Sequence, residues 1–411
     1  VRITLNRRDS STIEFGFSHL LTKFSGKTLR PLWIKYDRDI GVAPDHVLNF
    51  MIAIILSEHL AWSSHLYDKV IFSELTESEI SAIQRHINVN HKTNPYGFVT
   101  KNGKPMTVVC NKIVQDQGMD KKRAVLAGNG MGKDGLTCVS LASEISENVI
   151  AFTIGNQYKT EALWQERRAA MSKVYAILSI PNCQIMTNYM SSFGYKIIPW
   201  WLFAVPLAYA YGASTILSGL EMPFSKTNND NLLPRPNCSL FHLGCVSSGL
   251  LDIDFSSVTH ALSTLGVQRL LLDRYPKIAS FQRSCMTGMP WCYACGTCHN
   301  VYTLIKAVGH NPGIVGINKR PRNRDVLNPL ISDTHQYAME LVDGKSVPEW
   351  VYKANESILK LLWRGEDIGS ILLDTGFDFY SGNTAPDNNG YGCYVDKWKK
   401  WLNQDDFPPV K

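Results

Sequence analysis

Four cysteines crowd into one stretch of this chain, Cys285-Met-Thr-Gly-Met-Pro-Trp-Cys292-Tyr-Ala-Cys295-Gly-Thr-Cys298, with the spacing C-x(6)-C-x(2)-C-x(2)-C. Thiolates are soft ligands, and loops this short let four of them converge on one point. Zn²⁺ takes four such ligands in a tetrahedron, and an iron–sulfur cluster also takes four cysteines. The final C-x(2)-C with Gly296 has the form of a zinc knuckle, so zinc is the expected ion and iron–sulfur the alternative. Four protein thiolates leave no open position for water, which makes the centre structural. Its expected work is to fix a loop beside a substrate pocket, with the adjacent His299 outside the ligand set.

A second chemical feature lies well upstream: Ala127-Gly128-Asn129-Gly130-Met131-Gly132-Lys133-Asp134-Gly135, between an apolar strand and a helix. Glycines let backbone approach phosphate oxygens, and a helix start supplies N–H groups with a favourable dipole. Lys133 adds a point charge. An acidic Asp134 at a phosphate site makes sense if it holds Mg²⁺ between itself and a nucleotide. Lys133 and Asp134 are therefore the candidate catalytic residues, and the whole turn is the candidate nucleotide-binding segment. It is not a Walker loop, because Asp134 replaces the hydroxyl residue, nor a Rossmann fingerprint, because Lys133 stands at the third glycine.

Positioning such a turn requires a sheet with helices on both faces. From about 120 to 284 the pattern alternates: strand Ala124–Ala127, helix Leu136–Ile145, strand Val149–Ile154, helix Glu161–Ser179, then strands Gln184–Met186 and Thr215–Ser218. That alternation predicts a doubly wound parallel α/β sheet, whose ligands bind beyond the C-terminal strand ends. Ile197–Leu220 carries no charge and imitates a membrane span, but Pro199, Pro206 and Gly212 interrupt it. It reads as a buried helix over Leu202–Tyr211 feeding a buried strand, with no membrane partner. Upstream, residues 1–118 form a prefix domain with a strand near Arg2–Leu5, a helix over Val47–Trp62 and a helix entry at Thr76-Glu77-Ser78-Glu79. Residues 119–305 form the central domain, and residues 306–411 a mainly helical C-terminal region.

Composition sets the bounds. With 45% apolar and 19% charged residues in 411, the chain is globular and long enough for two or three domains. The net charge of +6 is a mild excess that suits a phosphate ligand without requiring one. Ten cysteines are too dilute for a disulfide scaffold, and their clustering points to metal binding in a reducing compartment. No apolar segment with a cleavage site follows Arg7 and Arg8, so a cytoplasmic location is expected.

Taken together, the turn and the cysteine cluster resemble those of the 7-cyano-7-deazaguanine synthases (QueC-like proteins), a group of PP-loop ATP-pyrophosphatases. Gly132, Lys133 and Asp134 match the PP-loop S-G-G-x-D-S, while Gly130, Met131 and Gly135 stand where the family has Ser, Gly and Ser. Trp291 to Cys298 is similar to the family's cysteine segment. Leu217-Ser218-Gly219-Leu220-Glu221-Met222-Pro223-Phe224-Ser225 resembles its G-x-x-E-x-D-x-S loop, and Gln157 resembles the glutamine of an F-D-Y-G-Q stretch. The likeness covers roughly residues 122–305. The prefix and tail make this chain longer than the typical synthase, like the larger relatives found in bacterial antiphage defence operons.

The resemblance implies a PP-loop ATP-pyrophosphatase fold, with ATP, Mg²⁺ and structural Zn²⁺ as cofactors. ATP would bind at residues 127–135, and Gln157, Glu221 and Ser225 would line a base pocket. It further implies adenylation of a carboxylate, 7-carboxy-7-deazaguanine or a close relative, followed by amine attack to give an amide, nitrile or base conjugate. A peptide or protein amine, or an operon partner protein, is a candidate acceptor, and a homodimer a candidate assembly. Two rivals are a nucleotide-binding regulatory subunit without turnover and a tRNA-thiolating enzyme, the latter needing Cys138 or Cys183 as a reactive thiol.

Overall fold

The structure is a computed structural model that describes residues 1–20, 30–64, 66–92, 104–116, 118–156, 161–189, 200–219, 253–259, 264–285 and 291–321. Its central strands are apolar on both sides. Ala124 and Leu126 of β6 (Lys122–Gly128), Ile150 and Phe152 of β7 (Val149–Asn156), Ile185 of β8 (Asn182–Thr187) and Ile216 of β9 (Ala213–Ser218) enter one core. Their neighbours Ala127, Val149, Ala151 and Leu217 enter a second core on the opposite face. Side chains alternate across a strand, so a sheet covered twice needs such near-continuous apolar runs. With β10 (Asp254–Ser257), these strands pair in parallel in the order β10-β9-β6-β7-β8.

Helices cover both faces of this parallel block. α4 (Lys133–Ile145), α5 (Glu161–Leu178), α7 (Thr264–Arg274), the single turn α8 (Pro276–Ala279) and α9 (Gly296–Ala307) contribute to the second core. The segment Trp200–Ala204, a 3-10 turn, and α6 (Val205–Tyr211) contribute to the first. The chain leaves β6 towards β7 and β8, then crosses to β9 on β6's other side. Strand order therefore reverses between β6 and β9, and a crevice is expected at the C-terminal ends of those two strands.

The uncharged stretch folds as a buried element. Trp201 to Ala208 are all buried. Gly212, left-handed at φ 63°, ends α6, and β9 follows between β6 and β10. Among the described residues no helix is long and apolar enough to cross a membrane. Residues 197–199 and 220 lie outside the described set.

The first hundred residues hold more strand than the single one expected. β1 (Arg2–Asp9) and β2 (Thr12–Ser18) form a hairpin whose turn is closed by Asp9 Oδ1, which accepts from the Ser11 N–H and hydroxyl. β3 (Leu32–Tyr36), β4 (Lys69–Leu75) and β5 (Thr107–Ile113) complete one ten-stranded sheet, β10-β9-β6-β7-β8-β3-β2-β1-β4-β5. Six of its nine pairings are parallel, so the sheet is mostly parallel. The boundary expected near residue 118 is not a break in the sheet, because β3 pairs antiparallel with β8. Asn188 extends that seam, accepting from the Trp33 N–H at 2.8 Å and donating to the Pro31 carbonyl at 2.9 Å.

The expected helix over Val47–Trp62 divides at Leu56 into α1 (Asp45–Ile55) and α2 (Ser57–Ser63). The entry at Thr76 becomes α3 (Glu77–Lys92), closed by a reciprocal capping box. Glu79 N–H donates to Thr76 Oγ1, and Thr76 N–H donates to the Glu79 carboxylate. The other oxygen of Glu79 reaches His46 Nδ1 at 2.9 Å, which ties the starts of α1 and α3 together in a buried ion pair. Of the C-terminal region, residues 306–321 are described and residues 322–411 lie outside.

Candidate nucleotide turn and metal centre

The glycine-rich turn leaves β6 at the place where the strand order reverses. Gly132 begins α4 in extended conformation, and Lys133 and Asp134 are its first residues. An α-helix leaves its first N–H groups without helical partners, and its dipole makes that end attractive to anions. Gly132 offers no side chain that caps them. Lys133 is 8% exposed overall, and its Nζ lies 2.5 Å from Asp134 Oδ1. The Asp134 side chain is 42% exposed and that of Lys133 10%, so the pair is half-buried, with its carboxylate towards solvent.

Close packing fixes the glycines of the turn. A Cβ on Gly135 would lie 2.6 Å from the Gly130 nitrogen, and one on Gly219, just after β9, would lie 2.1 Å from the Asp134 carbonyl oxygen. The end of β9 thus presses against the start of α4, as glycine alone permits. Gly130 differs, since nothing lies within 4 Å of the Cβ it lacks.

Beneath the turn runs a buried polar chain that sequence reasoning missed. Asn129 Oδ1 accepts from the Met131 N–H at 2.8 Å, and Asn129 Nδ2 donates to the Tyr175 hydroxyl at 3.2 Å. Tyr175 in turn lies 2.8 Å from Thr153 Oγ1. Burial pushes the Tyr175 phenol up to about 12, although its bonds to Thr153 and Asn129 pull the other way, so it stays a neutral hydroxyl at physiological pH. Met131 sits at φ 62°, an uncommon conformation for a residue with a side chain. The Asn129-Gly130 dipeptide was the one visible sign of such a turn.

The four cysteines meet, as their spacing predicts. All four sulfurs lie within 4.8 Å of one another, with Cys295–Cys298 at 3.5 Å, Cys292–Cys298 at 3.7 Å and Cys285–Cys295 at 3.9 Å. A tetrahedron with metal–sulfur bonds of about 2.3 Å has edges of about 3.8 Å. The separations match that figure and far exceed the ~2.05 Å of a disulfide. Each cysteine of a four-iron cluster binds a different iron, which sets the sulfurs further apart, so the geometry fits one ion, and zinc is compatible. Backbone N–H groups of Ala294 and Cys298 point at the sulfurs of Cys292 and Cys295. Such donors stabilise thiolate. Without a cation the crowding works against it: burial first raises Cys295, and hydrogen bonding with Cys285 first raises Cys298.

Neighbouring elements hold this loop. Trp291 Nε1 donates to the Val315 carbonyl at 2.7 Å, and the Tyr293 hydroxyl donates to Gly316 at 3.1 Å. Residues 312–316 are therefore part of the metal centre's support. Inside, Gln268 and Gln282 pair through both amides at 3.0 and 3.2 Å, both fully buried. Most telling is the link to the turn: Arg283 N–H, two residues before Cys285, donates to the Met131 carbonyl at 2.7 Å. Ser284 Oγ stands 3.6 Å from where a Gly132 Cβ would be.

The predicted residues thus fall into three groups. Ala127 to Gly135 run from the end of β6 through the turn into α4, with Lys133 and Asp134 side by side at the helix start. Cys285, Cys292, Cys295 and Cys298 form one ligand set. Gln157, Glu221 and Ser225 lie outside the described residues. Fold and site together define an α/β protein with a mostly parallel sheet, whose switch-point turn is bonded to a four-cysteine centre able to hold one metal ion. Compared with protein-family models, curated proteins and solved structures, the chain has no match in any of the three.

Proposed function

We propose that the chain is an ATP-dependent, zinc-carrying enzyme that adenylates a carboxylate and joins it to an amine, in the manner of the 7-cyano-7-deazaguanine synthases. The observation that carries this reading is the direct bond between the glycine-rich turn and the segment entering the cysteine centre, Arg283 N–H to Met131 carbonyl. It makes one unit of the two features that the sequence resemblance names separately. A PP-loop ATP-pyrophosphatase fold is the finer form of the α/β topology under this reading.

In the proposed reaction a carboxylate oxygen of 7-carboxy-7-deazaguanine, or a close relative, attacks the α-phosphorus of ATP. The bond between that phosphorus and the bridging oxygen breaks, and pyrophosphate leaves. An amine then attacks the activated carbonyl carbon and loses a proton, and AMP departs with the carboxylate oxygen. With ammonia the product is an amide, which a second activation could convert to a nitrile. Lys133 supplies positive charge to the phosphates, and the start of α4 supplies N–H donors. Asp134 would hold Mg²⁺, which neutralises charge on the polyphosphate. Gln157, Glu221 and Ser225 are proposed to line the base pocket, and antiphage defence is the proposed setting.

One observation favours a second reading, a nucleotide-binding subunit without turnover. The turn is packed around the bare Gly135, so a hydroxyl residue there would collide with the Gly130 nitrogen. The PP-loop's final serine therefore has no room. Sulfur transfer is less well supported, because burial pushes Cys138 up to about 12 and raises Cys183 as well. Pyrophosphate release separates the first two readings. Wild type should release it with ATP, Mg²⁺ and the deazaguanine acid, and Asp134→Asn should abolish release with little change in folding. ATP binding without pyrophosphate release, across ammonia and other amines, favours the subunit.

A further inference from the structure

The Met131 backbone is held on both sides. Its carbonyl accepts from Arg283 N–H, and its N–H donates to Asn129 Oδ1. The second bond fixes the orientation of the Asn129 amide, since the opposite orientation would set two donors against each other. Nδ2 must then face the Tyr175 oxygen, which accepts from it and shares a second hydrogen bond with Thr153 Oγ1. Every member is at most 4% exposed: Asn129 3%, Met131 0%, Thr153 3% and Tyr175 4%. The result is a continuous relay from β7 and α5 to the one turn residue with a left-handed backbone.

We propose that Asn129 and Tyr175 are positioning residues for polyphosphate, holding Met131 left-handed so that the turn is set before its ligand arrives. This rests on the nucleotide reading above. Neither side chain need touch the ligand. If Met131 relaxed to an extended or helical backbone, Gly132 and the first N–H groups of α4 would turn away from the direction that β6 gives them. Pre-setting the turn removes the ordering cost from binding. Loss of the relay should therefore appear as weaker affinity, more than as loss of fold.

The test uses the full chain with Tyr175→Phe, Asn129→Ala and a control, Ser140→Ala. Ser140 donates to the Leu136 carbonyl inside α4 and is equally buried, but it does not touch the turn. Two quantities are read: exchange of the Met131 amide hydrogen without ligand, and Kd for ATP with Mg²⁺ by calorimetry. We expect Met131 exchange to accelerate in both turn variants, with Kd about tenfold weaker, equivalent to ~1.4 kcal/mol. Ser140→Ala should change neither, even where its melting temperature falls. Kd within twofold of wild type in both variants overturns the positioning role while leaving nucleotide binding intact. Wild type that binds no ATP overturns both readings. Unchanged Met131 exchange in Asn129→Ala overturns the relay whatever the Kd.

Discussion

Replacing Gly219 by alanine probes the junction on which the site depends. Gly219 does not have a left-handed backbone, so the cost of the added methyl comes from space alone. The new Cβ would lie 2.1 Å from the Asp134 oxygen, 2.5 Å from its carbonyl carbon and 3.1 Å from its Cα. All three are backbone, and none can swing aside as a side-chain end could. Relief requires the end of β9 and the start of α4 to part by more than about 1 Å, judged against contacts of ~3.5 Å between heavy atoms. Both elements are anchored in the same core, through Leu217 and Leu136. Overpacking of this kind costs about 1–3 kcal/mol. Gly130→Ala is the matched comparison, because its methyl meets nothing within 4 Å, and a change within about 0.5 kcal/mol is expected. Urea unfolding followed by circular dichroism reads both. If Gly219→Ala proves as stable as wild type, or Gly130→Ala proves equally damaged, the close approach of β9 to α4 is wrong.

Three further outcomes are expected. Burial alone would depress His46, but the hydrogen bond and charge of Glu79, with the charges of Asp116 and Glu74, outweigh it and raise its pKa. A raised folded pKa gives stability that is full below the unfolded value of about 6.5 and is lost as pH rises through the folded one. Urea midpoints taken upward from pH 6 should therefore fall in wild type and flatten in Glu79→Gln; parallel profiles would remove the ion pair from the account. Elemental analysis should find one zinc per chain, and Cys298→Ser should lose it, since three thiolates and a weaker hydroxyl remain. Iron with sulfide, or zinc retained in that variant, would contradict a single four-sulfur ion. Lys133→Met should weaken ATP binding and slow pyrophosphate release together, because one charge serves ground and transition states; an unchanged Kd would detach Lys133 from the phosphates.

What the sequence revealed depended on how local each signal was. The cysteine centre was legible because its four ligands lie within one short stretch, and the chain need only fold back on itself to join them. The parallel strands were legible where burial on both faces made the run apolar, as in Ala124–Ala127 and Val149–Ile154. The strands β2 to β5 were not. β2 to β4 bury about every second residue, β5 buries Val108 alone, all four mix in charge, as in Lys69–Leu75, and their pairing joins residues far apart in the chain. The helix break at Leu56 left no glycine or proline to mark it. Within the site, Lys133 and Asp134 were found from the turn itself. Tyr175, Thr153 and Arg283 reach it from other elements, and no spacing rule connects them to it.

Adenylation of a carboxylate is the central claim, and the fate of one oxygen atom tests it most directly. The protein would be incubated with ATP, Mg²⁺, ammonia and 7-carboxy-7-deazaguanine bearing heavy oxygen in its carboxylate, and the nucleotide products read by mass spectrometry. Attack by the carboxylate on the α-phosphorus, followed by amine displacement of AMP, transfers one labelled oxygen into AMP and gives a deazaguanine amide or nitrile. Labelled AMP matched to that product, and absent in Asp134→Asn, is the expected result. AMP without label, or no AMP and no deazaguanine product, contradicts it.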